Sequence, residues 1–500
     1  MVFDAAFPED TIRVIVQRSP PDPHYLPQKK RIRIEEGWKP FTASDGILVD
    51  LPPSWIDILA STEFVPEPRA HLKGDCRVGD SVDVPHMGQT PKDFGRHGQG
   101  RRLFVTEQML KLWEDMRGDQ EFTYRRVLSS PMGVGKSYLS YFLTARAYAE
   151  GWPVLYMSDA GVLDKDDENE SALEVVKRFL ALNKDILTGA ELAMLLNDYD
   201  GTRNISRSAM SVILGTLLMS RDRKTLLLVD EHRKLFEKEP YVPDKFKSLV
   251  PLMSYHMFLS VVFVGPLSKH VFSKLLDTHC HLAAPAIRDE VTAIANCVPR
   301  ELVYLSAAVK DLPGPISLDD LHEWMERRTK DFLFTAETYN KSRTPFRKND
   351  FYKALLQMFL DSTGIVGFER DFLDLRLIYR CKDVGRIGTQ YRILCRPAQR
   401  ALLELFMTLP LPEDTRRRIC DGEDDFETAL CHQLICATKP IALNATDLNG
   451  SNPTTITLDF FHCDTLKIGK TSLGSGHGNV LTRAYEGYPR FDIMLGPLFI

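Results

Sequence analysis

Ser130-Pro131-Met132-Gly133-Val134-Gly135-Lys136-Ser137-Tyr138 is the stretch of this chain with the densest chemical content. Its residue types are those of a phosphate-binding loop. Glycines let consecutive backbone N–H groups curl round an anion, a lysine reaches the outer phosphates, and a hydroxyl ligates Mg²⁺. The usual pattern opens with glycine, and Ser130 stands there instead; serine is small enough for that turn provided its φ stays negative. Further on, Thr225-Leu226-Leu227-Leu228-Val229 is a buried-strand run that ends in Asp230-Glu231, as a Walker B strand does. Asp230 is the candidate to hold Mg²⁺ together with Ser137, and Glu231 the candidate to polarise an attacking water. Either stretch alone has a bland alternative, since acidic residues also suit the first turn of any helix. Together and in this order they predict a protein that binds a nucleoside triphosphate with Mg²⁺ and hydrolyses it.

The flanking sequence predicts the elements that would position these groups. Residues 124–128 read as a strand. Residues 138–150 read as a helix, with Leu139, Phe142, Leu143, Ala147 and Tyr148 in register until Gly151 ends it, and residues 152–158 read as a further strand. Strand, loop, helix, strand is the frame the loop requires. It is preceded by a helix capped by Thr106 that carries Met109, Leu112 and Trp113 on one face. Residues 257–264 predict another apolar strand, with Ser268 beyond it. In additional-strand P-loop ATPases the strand beside Walker B ends in a polar residue that senses the γ-phosphate, and Ser268 is the candidate; serine is equally a favoured loop cap. Pro299-Arg300 opens a helix at a place similar to the sensor-2 position of AAA+ and STAND ATPases. An arginine there neutralises charge developing on phosphoryl oxygens, or it makes an ordinary surface ion pair.

Composition sets the limits. The 500 residues, 44% hydrophobic, are enough for several cores, and the length suggests about three domains. With 63 basic and 68 acidic residues the net charge is −5, so no global field draws the chain to nucleic acid or an anionic membrane. The nine cysteines are scattered, which reads as free thiols in a reducing compartment. His279-Cys280-His281 is read as no metal site, because neighbouring residues rarely converge on one ion. No basic-then-apolar leader opens the chain, and residues 249–264, the longest nearly uncharged run, are too short and too polar for a membrane span.

Along the rest of the chain, residues 11–17 alternate like a strand. Lys29-Lys30-Arg31-Ile32-Arg33 forms a basic cluster suited to nuclear import, to phosphate contact or simply to solvation. Residues 52–91 read as an extended connector wrapping the next domain. Residues 300–410 read as mostly helical, with residues 351–360 amphipathic and a winged-helix-like lid one option for residues 382–407. A helix over 426–437 and a strand over 454–461 follow. The glycine-rich stretch 469–478 is not a second phosphate loop, since Asp464 takes the first-glycine position and no strand-loop-helix frame surrounds it. The final residues, 488–500, run apolar to the last, which suggests that the sequence as given, or the gene product itself, stops early, because domains rarely end inside a strand.

These pieces together resemble the Crinkler and retrotransposon-hot-spot family. The resemblance rests on residues 51–59 (LPPSWIDIL), 104–109 (FVTEQM), the loop 131–137, residues 228–231 (LVDE), residues 298–302 (VPREL) and residues 489–492 (PRFD), and the loop is also similar to the Pro-Pro-Gly-Thr-Gly-Lys-Thr form of AAA-type ATPases. It implies an effector or toxin with a ubiquitin-like header, an α/β P-loop NTPase of STAND or AAA type that uses ATP, and a C-terminal α+β domain of the restriction-endonuclease superfamily acting on DNA. On that scheme residues 1–20 are a header remnant and residues 21–100 a linker. Residues 101–300 form the NTPase domain, 301–410 a helical or winged-helix-like subdomain, and 411–500 a partial nuclease domain with Glu427 and Asp492 as metal-binding carboxylates. The strand completing that constellation would lie beyond Ile500. The resemblance further implies a host or nuclear protein as partner and a nuclear or host-cell location. An effector-type switch that binds its partner with little hydrolysis is the alternative.

Overall fold

The computed structural model describes residues 11–17, 37–60, 69–72, 74–91, 94, 101–118, 124–163, 168–197, 224–230, 260–312, 314–341, 355, 377–381, 390–410, 441–446, 453–458, 465–468, 480–483, 493–495 and 498–499. The chain divides into two compact units, Met1–Ile316 and Ser317–Ile500. In the first unit the strands are β1 (Thr11–Gln17), β2 (Lys39–Thr42), β3 (Leu48–Leu51), β4 (Ser81–Asp83), β5 (Arg102–Phe104), β6 (Tyr124–Ser129), β7 (Val154–Met157), β8 (Thr225–Val229) and β9 (Ser260–Phe263). Its helices are α1 (Pro53–Ala60), α2 (Glu107–Gly118), α3 (Lys136–Ala149), α4 (Glu168–Asn183), α5 (Gly189–Asn197), α6 (Lys269–Asp277), α7 (Pro285–Ala295) and α8 (Pro299–Val309).

One sheet organises this unit, with strand order β7-β8-β1-β6-β9. β7 runs parallel to β8 and β6 parallel to β9, while β1 is antiparallel to both of its neighbours, β6 and β8. Four strands therefore point one way and one points back. Arg13 stands opposite both Val127 and Val229, so β6 runs two residues past the end of β8, and Ser130 and Asp230 leave the sheet at the same edge. One expectation is corrected here. β9 pairs with β6, not with the strand that ends in Asp230, and β1 lies between β6 and β8. A period-2 pattern identifies a strand but carries no information about which strands flank it.

α3 is buried along nearly its whole length and lies in contact with the sheet strands β1, β7 and β8. On one side of the sheet α1, α4 and α5 close a core of Leu51, Trp55, Phe179, Leu180, Leu195, Leu227 and Val229. α1 is a helix where the sequence suggested only an extended connector. Pro53 suits the first helical position, its fixed φ being already helical. Trp55, Ile58 and Leu59 then recur at helical spacing and are buried.

The remainder of residues 69–91 is strapped to α3 and α4 by side chain to backbone bonds. Arg69 donates to the Tyr148 carbonyl (2.8 Å) and the Leu182 carbonyl (3.2 Å) and pairs with Asp185 at 2.7 Å. Arg146 donates to the Leu72 carbonyl at 2.7 Å and the Gly74 carbonyl at 2.6 Å. Arg146 thereby satisfies strap carbonyls that would otherwise be buried unpaired, while Arg69 reaches carbonyls in the last turns of α3 and α4.

In the second unit, α9 (Leu318–Lys341) packs on α10 (Arg396–Thr408), with an Arg400–Glu326 ion pair at 2.5 Å. α9 begins with a capping box, the Ser317 N–H donating to Asp320 at 2.8 Å and the Asp320 N–H to Ser317 Oγ at 3.2 Å. The hydrogen bonds from Ser317 hold the Asp320 carboxyl below the usual carboxylate range. β10 (Ile378–Cys381) and β11 (Gln390–Ile393) pair antiparallel, as do β12 (Ile441–Thr446) and β13 (Pro453–Leu458). β14 (Thr465–Ile468), β15 (Val480–Arg483), β16 (Ile493–Leu495) and β17 (Leu498–Phe499) form a sheet in that order. Among the described residues no helix is long and apolar enough to cross a membrane.

Candidate functional site

The loop between β6 and α3 has the backbone its sequence requires. Gly133 sits at φ 93 and Gly135, the N-cap of α3, at φ 103, conformations that glycine reaches without the Cβ penalty of other residues. Among the described residues only Asn296 and Cys297 combine a side chain with positive φ. Ser130 therefore takes the first-glycine position without left-handed strain. It is buried, and its hydroxyl donates to the Pro131 carbonyl at 3.2 Å.

Lys136 is 8% exposed, and its ammonium donates to the Ser130 carbonyl at 2.7 Å and the Pro131 carbonyl at 3.3 Å. The lysine is thus folded back over the mouth of its own loop. An anion entering the loop would compete with those carbonyls for the same donors. Ser137 and Tyr138 follow in the first turn of α3, where the backbone N–H groups have no intrahelical acceptor. Met132 and Val134 complete the loop, Val134 buried beneath it.

Arg300 reaches this loop from far along the chain. α7 ends at Asn296 (φ 48), Cys297 follows at φ 60, and Pro299 opens α8. That double left-handed turn delivers Arg300 to the loop, where its N–H donates to the Gly133 carbonyl at 3.2 Å. A Cβ on Gly133 would stand 2.6 Å from Arg300 Cβ and 2.9 Å from its Cδ. Gly133 is therefore required twice, by its backbone angle and by its neighbour.

Asp230 is 4% exposed at the end of β8. Its N–H donates to the Met157 carbonyl (2.8 Å), and its carbonyl accepts from the Ala160 N–H (3.0 Å), so the turn after β7 holds it. Burial pushes the Tyr156 phenol well above its ordinary value, and the Asp230 charge adds to the effect. The Tyr156 hydroxyl and Ser129 Oγ have no hydrogen-bond partner among the described residues.

The other predicted residues fall elsewhere. Ser268 caps α6, accepting from the Val271 N–H at 3.3 Å, and the strand preceding it does not lie beside β8. Glu231, Glu427 and Asp492 lie outside the described residues, as do the basic cluster at 29–33, the helices read over 351–360 (Leu355 apart) and 426–437, and the glycine-rich stretch 469–478. His279 Nδ1 and His281 Nε2 each stand 2.9 Å from Ser306 Oγ. Among the described residues no three His, Cys, Asp or Glu side chains gather as a metal set.

One participant carries no signal in the sequence. Gln89, from the connector, accepts from the Ser158 N–H (3.0 Å), Ser158 Oγ (3.1 Å) and Arg178 (2.6 Å), and its amide donates to the Tyr156 carbonyl. It fixes the end of β7 on either side of Met157, whose carbonyl positions Asp230.

No family model matches the chain, and no curated protein or solved structure does either.

Proposed function

We propose that the chain is an ATP-binding P-loop protein that hydrolyses ATP, with Gly133, Gly135, Lys136 and the first turn of α3 as its phosphate cradle. The observation that carries the reading is the convergence at one sheet edge. The loop and its buried lysine leave β6 where Asp230 leaves β8, and Arg300 lies across the loop. Backbone N–H groups, an ammonium, a guanidinium, a hydroxyl and a carboxylate are the donor and acceptor set that a Mg²⁺-bound triphosphate needs. Ser137 and Asp230 would hold Mg²⁺, which when bound neutralises charge on the phosphoryl oxygens. In this reading Lys136 exchanges its carbonyl partners for phosphate oxygens, Arg300 stabilises charge developing on the outer phosphate, and Glu231 orients the attacking water. The output of the cycle follows the family resemblance: nucleotide state is coupled to the DNA-directed, nuclease-like C-terminal region.

The test is calorimetric titration of ATP with Mg²⁺ into wild type and Lys136→Ala, followed by ATP turnover with and without DNA in wild type and Glu231→Gln. Binding lost in Lys136→Ala, with turnover that depends on Glu231 and rises with DNA, is the expected result. ATP binding unchanged in Lys136→Ala would remove the loop from the function. Binding without Glu231-dependent turnover would leave a nucleotide-dependent interaction switch.

A further inference from the structure

Beside the loop lies an aromatic ladder that the chemistry above does not use. Tyr156 and Tyr141 are fully buried with ring centroids 5.7 Å apart. Phe94, from the connector, stands 5.1 Å from Tyr141 and 5.3 Å from Tyr138. Tyr138 follows directly on Ser137. The ladder thus runs from the core of the sheet to the first turn of α3, and its outer members, Phe94 and Tyr138, are only half-buried. The connector that carries Phe94 is anchored just upstream, Tyr141 donating its hydroxyl to the Pro85 carbonyl at 2.9 Å and Gln89 holding the end of β7.

Polarity along the loop decides what lies next to Tyr138. The lysine of a phosphate loop reaches the outer phosphates, while the backbone leading into the helix meets the inner ones. The ribose and base attached to the innermost phosphate must then leave past the first helical turn. A planar, uncharged base gains by stacking on an aromatic face, with an affinity gain of about tenfold to a hundredfold. A connector phenylalanine packed against the rings of Tyr138 and Tyr141 is such a face, and those contacts already limit its side-chain freedom, so less of it is lost on binding.

We propose that Phe94, braced by Tyr138 and Tyr141, is the stacking wall for the nucleobase, so that the connector and not the phosphate loop supplies the base-side half of the site. The proposal rests on the nucleotide-binding reading above and deepens it. It makes the site selective for nucleotides over bare polyphosphate, with stacking on a large purine stronger than on a pyrimidine.

The experiment titrates ATP and inorganic tripolyphosphate, each with Mg²⁺, into the full chain as wild type, Phe94→Leu and Phe94→Tyr. Leucine keeps apolar volume but removes the π-face, and tyrosine keeps the face. Phe94→Leu is expected to weaken ATP about tenfold or more and to leave tripolyphosphate within about twofold, with Phe94→Tyr close to wild type. Equal weakening of both ligands, or of neither, overturns the proposal, because it would make Phe94 a packing residue. Loss of fold is read separately from the denaturant midpoint; if Phe94→Leu is unfolded, the retained ATP-over-tripolyphosphate preference of Phe94→Tyr decides, and its disappearance in a folded protein overturns the stacking role. Wild type binding neither ligand would refute the nucleotide-binding reading itself, and that is seen before any variant is compared.

Discussion

Replacing Gly133 by alanine isolates the contact on which the candidate site turns. Gly133 sits at φ 93, and holding an L-residue in left-handed backbone costs about 1–2 kcal/mol. The new methyl also lands 2.6 Å from Arg300 Cβ. Cβ is fixed to the backbone of α8, so relief requires shifting the helix, and overpacking of this kind costs about 1–3 kcal/mol. The sum, about 2–5 kcal/mol, falls on the loop conformation that also receives the Gly133–Arg300 backbone hydrogen bond. If only that conformation binds nucleotide, apparent affinity falls in proportion to its population, by up to about 30-fold for a penalty of about 2 kcal/mol and by a higher ceiling for a larger one. Calorimetry with ATP and Mg²⁺ on Gly133→Ala measures this. Repeating it with Arg300→Gly as partner separates the two causes, because the steric share is recovered in the double variant and the backbone share is not. Wild-type affinity in Gly133→Ala would refute the reasoning, since neither the backbone angle nor the Arg300 contact would then bear on binding. A loss that is unchanged in the double variant would refute the steric part alone.

Two further expectations concern the sheet beneath the site. The Asn183 side chain is wholly buried at the end of α4; its amide donates to the carbonyls of Val154 (2.8 Å) and Phe179 (2.6 Å), and its oxygen accepts from the Val154 N–H (2.8 Å). Asn183→Ala should therefore cost about 2–4 kcal/mol, because it orphans both backbone groups of Val154, and denaturant unfolding reads it directly. Tyr156 is a buried phenol whose ionisation is pushed well above the unfolded value of 10.0. Its contribution to stability is full below about pH 10, where it is neutral in both states, and is lost as pH rises above that, because the unfolded chain ionises first. The Tyr148 phenol, pushed up to about 12 by burial, acts in the same sense, so the comparison must be with a variant. Tyr156→Phe should lose less stability than wild type between pH 9 and pH 11 in equilibrium denaturation, and equal losses would contradict the burial of this hydroxyl.

What the sequence determined by itself is local. Residues 130–138 are contiguous, so the glycines at positive φ, the lysine at the first position of α3 and the strand before it follow from residue types at fixed short spacing. The same holds for Asp230 at the end of an apolar run and for Pro299-Arg300 at the start of a helix. α1 was legible too, in the spacing of Trp55, Ile58 and Leu59, but the surrounding prolines suggested a connector. Only the tertiary structure decided who meets whom. Arg300 lies against Gly133 because an Asn296-Cys297 turn aims α8 there, β1 separates β6 from β8, Ser268 caps the helix that follows a strand on the far side of β6, and Gln89 and Phe94 reach the end of β7 and Tyr138 from a stretch without regular periodicity. Periodicity reports how each segment meets its own local environment. Pairing between distant segments is set by burial summed over the whole unit, and no short window of sequence contains that sum.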